Sequence, residues 1–444
     1  MKKIILSLSL LLTINVCYAQ TKYSLEQCLQ MAAANNNRIK ESKLDVGAAR
    51  QTCKEAFTNY FPSLSATGTY FKASDGLLNS SVEIQGAIPP DLAGMLPPEL
   101  LGILPSSLPV SLLKNGTIAG VVTTQPVFAG GRIINGNKLA KIGEDVAQLQ
   151  LQLTEKQVKL TTATFFWQVE NLKGKLETLS VVKRLLTTLY KDVQMAVKTG
   201  LTTNNDLLRV ELQMQQIESD RLKIENGIKV CKMQLAQFIG VDMDTFDTET
   251  PDYKKNILPN SLYCDANTAV MNRIETQLLD NDIKAARLKT KIFIGQQLPS
   301  VGIGGGYLYH NLLNNSTNRG VLFASVSIPI SDWWRGSHAI KRHRVMEHKA
   351  EITKMDNTER MTIETNQVWN EVIEAYKQID IAKKSIQSST ENLRIVTDSY
   401  KVGTVPLSEL LDAQLLFRQS KNLYNDAYSI YQTKVLQYRQ ITIE

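Results

Sequence analysis

The sequence predicts a chain built mostly of long helices, with two pairs of short membrane β-strands between them and the whole plan present twice. Three observations lead there. Stretches of about 35 to 67 residues run without proline and carry apolar residues at helical spacing. Between them, segments of about ten residues alternate apolar with small or polar side chains. The motifs that separate these segments recur at fixed intervals.

Composition narrows the field first. Charged residues are 21% and hydrophobic ones 43%, a balance that argues against a disordered or collagen-like chain. The cysteines form no CxxC pair, so a structural zinc site is not expected. The net charge of +7 falls to about +5 without Lys2 and Lys3, too little to suggest nucleic acid as a partner.

Those two lysines open a leader. Ile4 to Val16 is its apolar core, and Cys17-Tyr18-Ala19 resembles a small-x-small cleavage site, so residues 1–19 read as a signal peptide. Ile14-Asn15-Val16 lacks the small residues of a lipobox, which argues against lipidation of Cys17.

After the leader, residues 20–240 form a first repeat. A helix is expected over 24–58, started by Ser24 with the Glu26/Gln27 pair and ended by Pro62. A strand pair follows at about 64–127, interrupted by an inserted loop at 75–116 that holds Pro89-Pro90 and Pro97-Pro98. The long helix 132–198 would reach on the order of 100 Å at 1.5 Å per residue. Val146, Leu149, Leu153 and Val158 give it an amphipathic stripe suited to packing beside other helices, not to lipid. Lys198-Thr199-Gly200 turns the chain into a return helix, 205–239. Residues 241–265 read as a linker. The second repeat, 266–444, carries a helix at 266–295, a strand pair at 301–330, a long helix at 336–401 and a return helix at 406–440.

The strand segments share one pattern. In 320–330, Leu322, Ala324, Val326, Ile328 and Ile330 lie on one face, with Phe323, Ser325 and Ser327 on the other. In 301–309, Val301, Ile303, Tyr307 and Tyr309 oppose Gly302, Gly304 and Gly306. Such alternation suits a strand with lipid on one side.

The repeat has a register. Pro62 in FPSL matches Pro299 in LPSV at an interval of 237, and Pro126 in QPVF matches Pro329 in IPIS at 203. The second interval holds into the turns, where Lys198-x-Gly200 with Asp206-Leu207-Leu208 matches Lys401-x-Gly403 with Glu409-Leu410-Leu411. Four strands cannot close a barrel in lipid without open edges. Three copies give twelve strands, wide enough for a channel, whereas two copies give eight and a filled interior, so a homotrimer is preferred.

With FPS before a strand, QPVFAGG at the strand-to-helix junction and YKVG…LLDAQ at the turn, the chain resembles the TolC-like outer-membrane efflux protein family over about residues 21–440. The resemblance implies a homotrimer in the outer membrane, with a 12-stranded β-barrel continued by a 12-helix α-barrel through the periplasm. It also implies a periplasmic adaptor protein and an inner-membrane pump of RND or ABC type as partners. The function implied is a passive conduit for efflux, with no cofactor, no metal and no chemistry of its own. A conduit for type I protein secretion is the alternative with the same fold. A secreted coiled-coil structural protein is the alternative of another class.

The same resemblance places an acidic pore ring at Glu409 and Asp412. Their i, i+3 spacing puts them on one helix face whatever the family, and threefold symmetry would make two rings of carboxylates. First-turn acids favoured by the helix dipole have the same spacing. Tyr400 falls on the family's gate tyrosine. Val405 stands where better-known members carry an arginine that locks the closed state, so Lys401 or packing would have to hold it here. Gly200 and Gly403, with Val405, resemble the adaptor-facing helical tips.

Residues that invite an enzyme reading do not assemble into one. His338, His343 and His348 recur every five residues and scatter around a helix. Phe165-Phe166-Trp167 reads as interhelical packing or an equatorial contact, not a membrane girdle. Cys28 and Cys53 are too far apart on one helix to pair, and a Cys231–Cys264 bridge stays open. No phosphate loop or nucleophile elbow appears, so no catalytic residue is expected.

Overall fold

A computed structural model describes residues 21–74, 78–83, 107–112, 114–242, 246–250, 258–312, 315–330 and 332–442. The signal peptide expected at 1–19 lies outside them, as does much of the insertion at 75–116. The chain divides into two compact units. One holds the described residues up to Ala49 with Gly143–Ile283 and Lys349 onward; the other holds Arg50–Ile142 and Lys284–His348.

The first unit is helical. A short strand β1 (Thr21–Tyr23) precedes α1 (Leu25–Asn35) and α2 (Asn37–Thr58). Ser24 caps α1, its hydroxyl accepting from the Gln27 N–H while the Gln27 side chain accepts from the Ser24 N–H. The long helix α3 (Arg132–Lys198) is followed by α4 (Asn204–Ile239). Then come α5 (Ala266–Asn272), α6 (Ile274–Gln296), the second long helix α7 (Asp332–Lys401) and its return α8 (Leu407–Thr442). The division between units falls within α2, α3, α6 and α7.

Two expectations need correction. The single helices expected over 24–58 and 266–295 are each broken, at Asn36 and at Arg273. Both residues adopt extended backbone, ψ 130° and 145°. They lie 237 residues apart, the same interval that separates Pro62 from Pro299. Asn36 breaks the helix to serve another: its Nδ2 donates to the Phe238 carbonyl at 2.9 Å, and Asn35 Nδ2 donates to Ile239 at 3.1 Å. These are carbonyls at the end of α4, which have no partner within their own helix. Asn36 Oδ1 then caps α2 by accepting from the Arg38 N–H at 2.9 Å. Arg273, almost fully buried, pairs instead with Glu275 at 2.8 Å and Glu364 at 2.9 Å.

The 241–265 linker also contains more than expected. Its strand β6 (Phe246–Thr248) pairs in parallel with β1, and Phe246 stacks on Tyr23. Beneath this pair sits a buried polar cluster. The Glu170 carboxylate, 1% exposed, accepts from the Thr248 hydroxyl and from Lys173 at 2.9 Å. Lys173 and Lys232 both reach Asp247, at 2.8 and 2.6 Å. Pairing of this kind is what a buried carboxylate requires, since an isolated one costs several kcal/mol. Burial pushes the Asp247 carboxyl up, but the hydrogen bonds from Lys173 and Lys232 outweigh it and hold the group below its ordinary range.

Aromatic side chains fill the main helical core. Phe166 and Trp167 meet edge to face, and Trp167 packs edge-on against Tyr428 at 5.6 Å. Tyr431 and Tyr438 are fully buried beside them. A second cluster near the helical turns joins Leu186, Val193 and Val210 to Leu407 and Leu410.

The second unit holds the main sheet. Its strands are β2 (Ser63–Lys72), β5 (Asn115–Phe128), β7 (Ser300–Leu312) and β8 (Asn315–Ser327), antiparallel in the order β2-β5-β7-β8. The insertion expected to be a loop has a stem, because β3 (Leu78–Glu83) and β4 (Ser107–Leu112) form their own antiparallel pair. Register assigns the faces of the main sheet. Ala66 is opposite Val121, which is opposite Tyr307; Ile303 is opposite Ala324; and Val301 is opposite Val326. Leu64, Ala66, Val121, Ile303, Tyr307 and Leu322 thus share one face. The other carries Ser65, Thr67, Thr124, Gly304, Gly306 and Ser325, with Phe323 laid across Gly304.

Candidate gate at the helical turns

The two helical turns are built alike. At the first, Gly200 has φ 76°, its N–H donates to Val197, and the Leu201 N–H donates to Ala196 at 2.8 Å. At the second, Gly403 has φ 76°, its N–H donates to Tyr400, and the Thr404 N–H donates to Ser399 at 3.0 Å. Each is a Schellman ending, in which a left-handed residue lets two backbone donors reach the orphan carbonyls of the helix. Glycine is required there because a Cβ strains the left-handed backbone. Both glycines are exposed, with open space where a Cβ would stand.

The residues after each turn differ. In the first, the Thr202 hydroxyl donates to the Asp206 carboxylate. In the second, the residue 203 positions later than Thr202 is Val405, which has no hydroxyl to give. Glu409, in the place of Asp206, is exposed, and its side chain has no hydrogen bond or ion pair among the described residues. Asp412 is exposed in the same way, one turn further along α8. The opposite face of that helix, Leu407, Leu410 and Ala413, is buried. Packing therefore fixes the helix and turns both carboxylates outward.

Tyr400 lies partly buried against the second core cluster. Burial, and then the negative charges of Asp206 and Asp192, raise its hydroxyl above the ordinary tyrosine value. Lys401 lies 3.9 Å from Asp398 on its own helix. The structure thus brings Asp206 and Asp192 near Tyr400, with Val405 and the two acids following directly in the second turn and the start of α8. Thr202 and Asp206 did not stand out in the sequence as partners of each other. The match of Asp206-Leu207-Leu208 to Glu409-Leu410-Leu411 is a signal that could have found Asp206, and none in the sequence marks Thr202.

The residues set aside as non-catalytic also have places. His343 stacks on Phe293 with ring centres 4.9 Å apart. Cys28, Cys53, Cys231 and Cys264 are free thiols, so the open Cys231–Cys264 bridge is not formed. No group of three or more His, Cys, Asp or Glu among the described residues is arranged to hold a metal ion.

No protein-family model and no curated protein sequence matches the chain. Solved structures do. CusC, studied for folding and transmembrane channel formation, superposes with a TM-score of 0.76 at 13% identity over 95% of this chain and 92% of its own. The CmeC outer-membrane channel of Campylobacter jejuni gives 0.75 at 13% identity, covering 94% and 85%. The outer-membrane protein VceC of Vibrio cholerae gives 0.74 at 14%, covering 94% and 95%. Agreement over nearly the full length of both chains makes the architecture common to all of them: this chain has the fold of the TolC-like outer-membrane channels.

Proposed function

We propose that the chain assembles as a homotrimeric outer-membrane channel, a passive conduit of a tripartite efflux system that takes substrates from an inner-membrane pump through a periplasmic adaptor. The observation that carries this reading is the main sheet. Its apolar face is exposed, with Leu322 91% and Leu64 73% accessible, and β2 and β8 each pair on one side only among the described strands. An exposed apolar face of this size is unfavourable in water, and two open edges are unfavourable in lipid. Sheet from further copies pairs the edges, and lipid covers the face. Three copies supply twelve strands, and the likeness to solved channels supports that assembly.

In this reading Glu409 and Asp412 of three chains line the constriction at the periplasmic end, and the tips at Gly200, Gly403 and Val405 face the adaptor. Six carboxylates, none paired with a cation among the described residues, focus a negative potential that draws cations. The double variant Glu409→Gln, Asp412→Asn is expected to lower the cation-to-anion permeability ratio on the order of tenfold in planar-bilayer recordings, and to weaken block by multivalent cations. The difference should shrink as salt rises, because exposed carboxylates are screened over about 8–10 Å at ordinary ionic strength. Unchanged selectivity in the double variant would leave the two acids as ordinary helix-start residues. An adjacent gene pair for an adaptor and a proton-driven pump favours efflux; an ABC exporter beside a secreted substrate favours protein export.

A further inference from the structure

We propose that the helix ends adjoining the main sheet form a basic collar that binds the phosphate head groups of anionic phospholipid. The proposal rests on the membrane insertion of the sheet argued above. All of its residues lie in the strand-bearing unit.

Charge in that unit is sharply sorted. The described residues of β2, β5, β7 and β8 include no Asp or Glu. The adjoining segments 50–62, 129–142, 284–299 and 331–348 hold thirteen Lys and Arg against three Asp and Glu. All thirteen basic side chains are exposed. A chain whose overall charge is only +7 thus concentrates cations beside its apolar sheet.

The order along each helix is the same. At the end of α2, exposed Phe57, with Phe61 just past the helix, lies nearest the sheet, and Arg50 and Lys54 follow Phe57 on one stripe at helical spacing. On α3, exposed Ile134 is followed by Lys138 and Lys141. On α6, Arg287 and Lys291 precede exposed Leu298, which lies just past the helix end. On α7, exposed Trp334 is followed by His338 and Lys341, with Arg342 and Arg344 beside them. An apolar layer, an aromatic or aliphatic layer and then a basic layer match the hydrocarbon, the interface and the anionic surface of a bilayer in turn.

The collar also contains a seat. A cavity of about 840 Å³ opens where α2 ends and α3 begins, lined by Phe61, Pro62, Ile133, Ile292, Arg132 and Asn137 among others, with no carboxylate among the described residues of its wall. The Arg132 guanidinium uses its Nε on the Ala129 carbonyl at 3.1 Å. Its other nitrogens form a fork suited to a phosphate, and the apolar wall suits an acyl chain. A pore-facing collar that attracts anionic solutes would show the same charge count but no reason for the apolar stripes.

The test uses the full-length protein reconstituted in vesicles of phosphatidylcholine alone and in an equal mixture with phosphatidylglycerol, followed by native mass spectrometry of the retained lipid. Phosphatidylglycerol should be enriched about tenfold or more over phosphatidylcholine, the effect of one or two basic side chains near an anionic surface. Enrichment should fall towards parity in 1 M salt, and in the variant Lys54→Gln, Lys138→Gln, Lys341→Gln, Arg342→Gln. Parity in the wild-type protein, with the sheet inserted, would overturn the collar and leave the channel standing. Failure to insert in either vesicle would overturn the membrane reading itself. Loss of the preference on adding glycerol phosphate would assign the site to a free anion and overturn the lipid. A variant that keeps its lipid preference but becomes more cation-selective would place the charges in the pore and do the same. Should the variant fail to insert, a wild-type preference insensitive to salt overturns the proposal.

Discussion

Glu218, on the surface of α4, shows how single residues respond to their partners. Hydrogen bonds from Arg221, and then from Lys183, bring its carboxyl down to about 2 from an ordinary 4.5. A depressed carboxylate adds stability that is present above its unfolded pKa and is lost as pH falls towards the folded one. The stability difference between wild type and Arg221→Gln should therefore be steady above pH 4.5 and shrink between pH 4.5 and about 2, as read from melting temperatures across that range. Exposure keeps the effect small. Cys28 makes the opposite case: burial pushes its thiol up to about 11. An iodoacetamide pulse at pH 8 should modify Cys264 in the folded protein and Cys28 only after denaturation, with peptide mass spectrometry as the readout.

At the scale of elements, the break at Asn36 exchanges helix continuity for three backbone partners. Asn36→Ala removes the donor to Phe238 and the cap on Arg38, and should cost about 1–2 kcal/mol in urea unfolding. Asn36→Asp, which keeps the cap and loses the donor, should fall between the two. Glycines at helix ends separate in the same way. Gly403→Ala meets open space and should cost only the left-handed strain, about 1 kcal/mol. Gly240→Ala should cost more, because its φ is also positive and its Cβ would stand 2.7 Å from Asn35 Cβ. The Gly130–Gly295 pair explains the first glycine of QPVFAGG more directly, while Gly131 carries a positive φ of 76°. A Cβ on Gly295 would fall 2.3 Å from the Gly130 carbonyl oxygen, so two backbones meet where no side chain fits.

For the whole molecule, the proposal depends on how many copies close the sheet. Detergent-solubilised protein should have the native mass of three chains. A mass of one or two chains would contradict the twelve-stranded assembly. Shortening the β3–β4 stem and its insertion should leave that mass unchanged, because β3 and β4 pair with each other and not with the main sheet.

Several features could be read from the sequence because they depend on local chemistry. Proline and glycine end helices through their own backbone limits, so Pro62, Gly200 and Gly403 mark the turns before any tertiary contact is known. The alternation of Leu322, Ala324 and Val326 marks a strand face because successive side chains point to opposite sides. Spacing alone put Glu409 and Asp412 on one face. The breaks at Asn36 and Arg273 were not readable, because neither residue is a strong breaker; each is held by groups roughly 90 to 200 positions away in the chain. The three-residue strands β1 and β6 are too short to show a period, and their pairing depends on residues more than 200 positions apart. That the Glu409 side chain has no partner among the described residues follows from comparing two turns in space, where Thr202 donates to Asp206 and Val405 has no hydroxyl to give. Local propensity and period belong to the sequence, whereas the choice of distant partner is decided only when packing brings the donors and acceptors together.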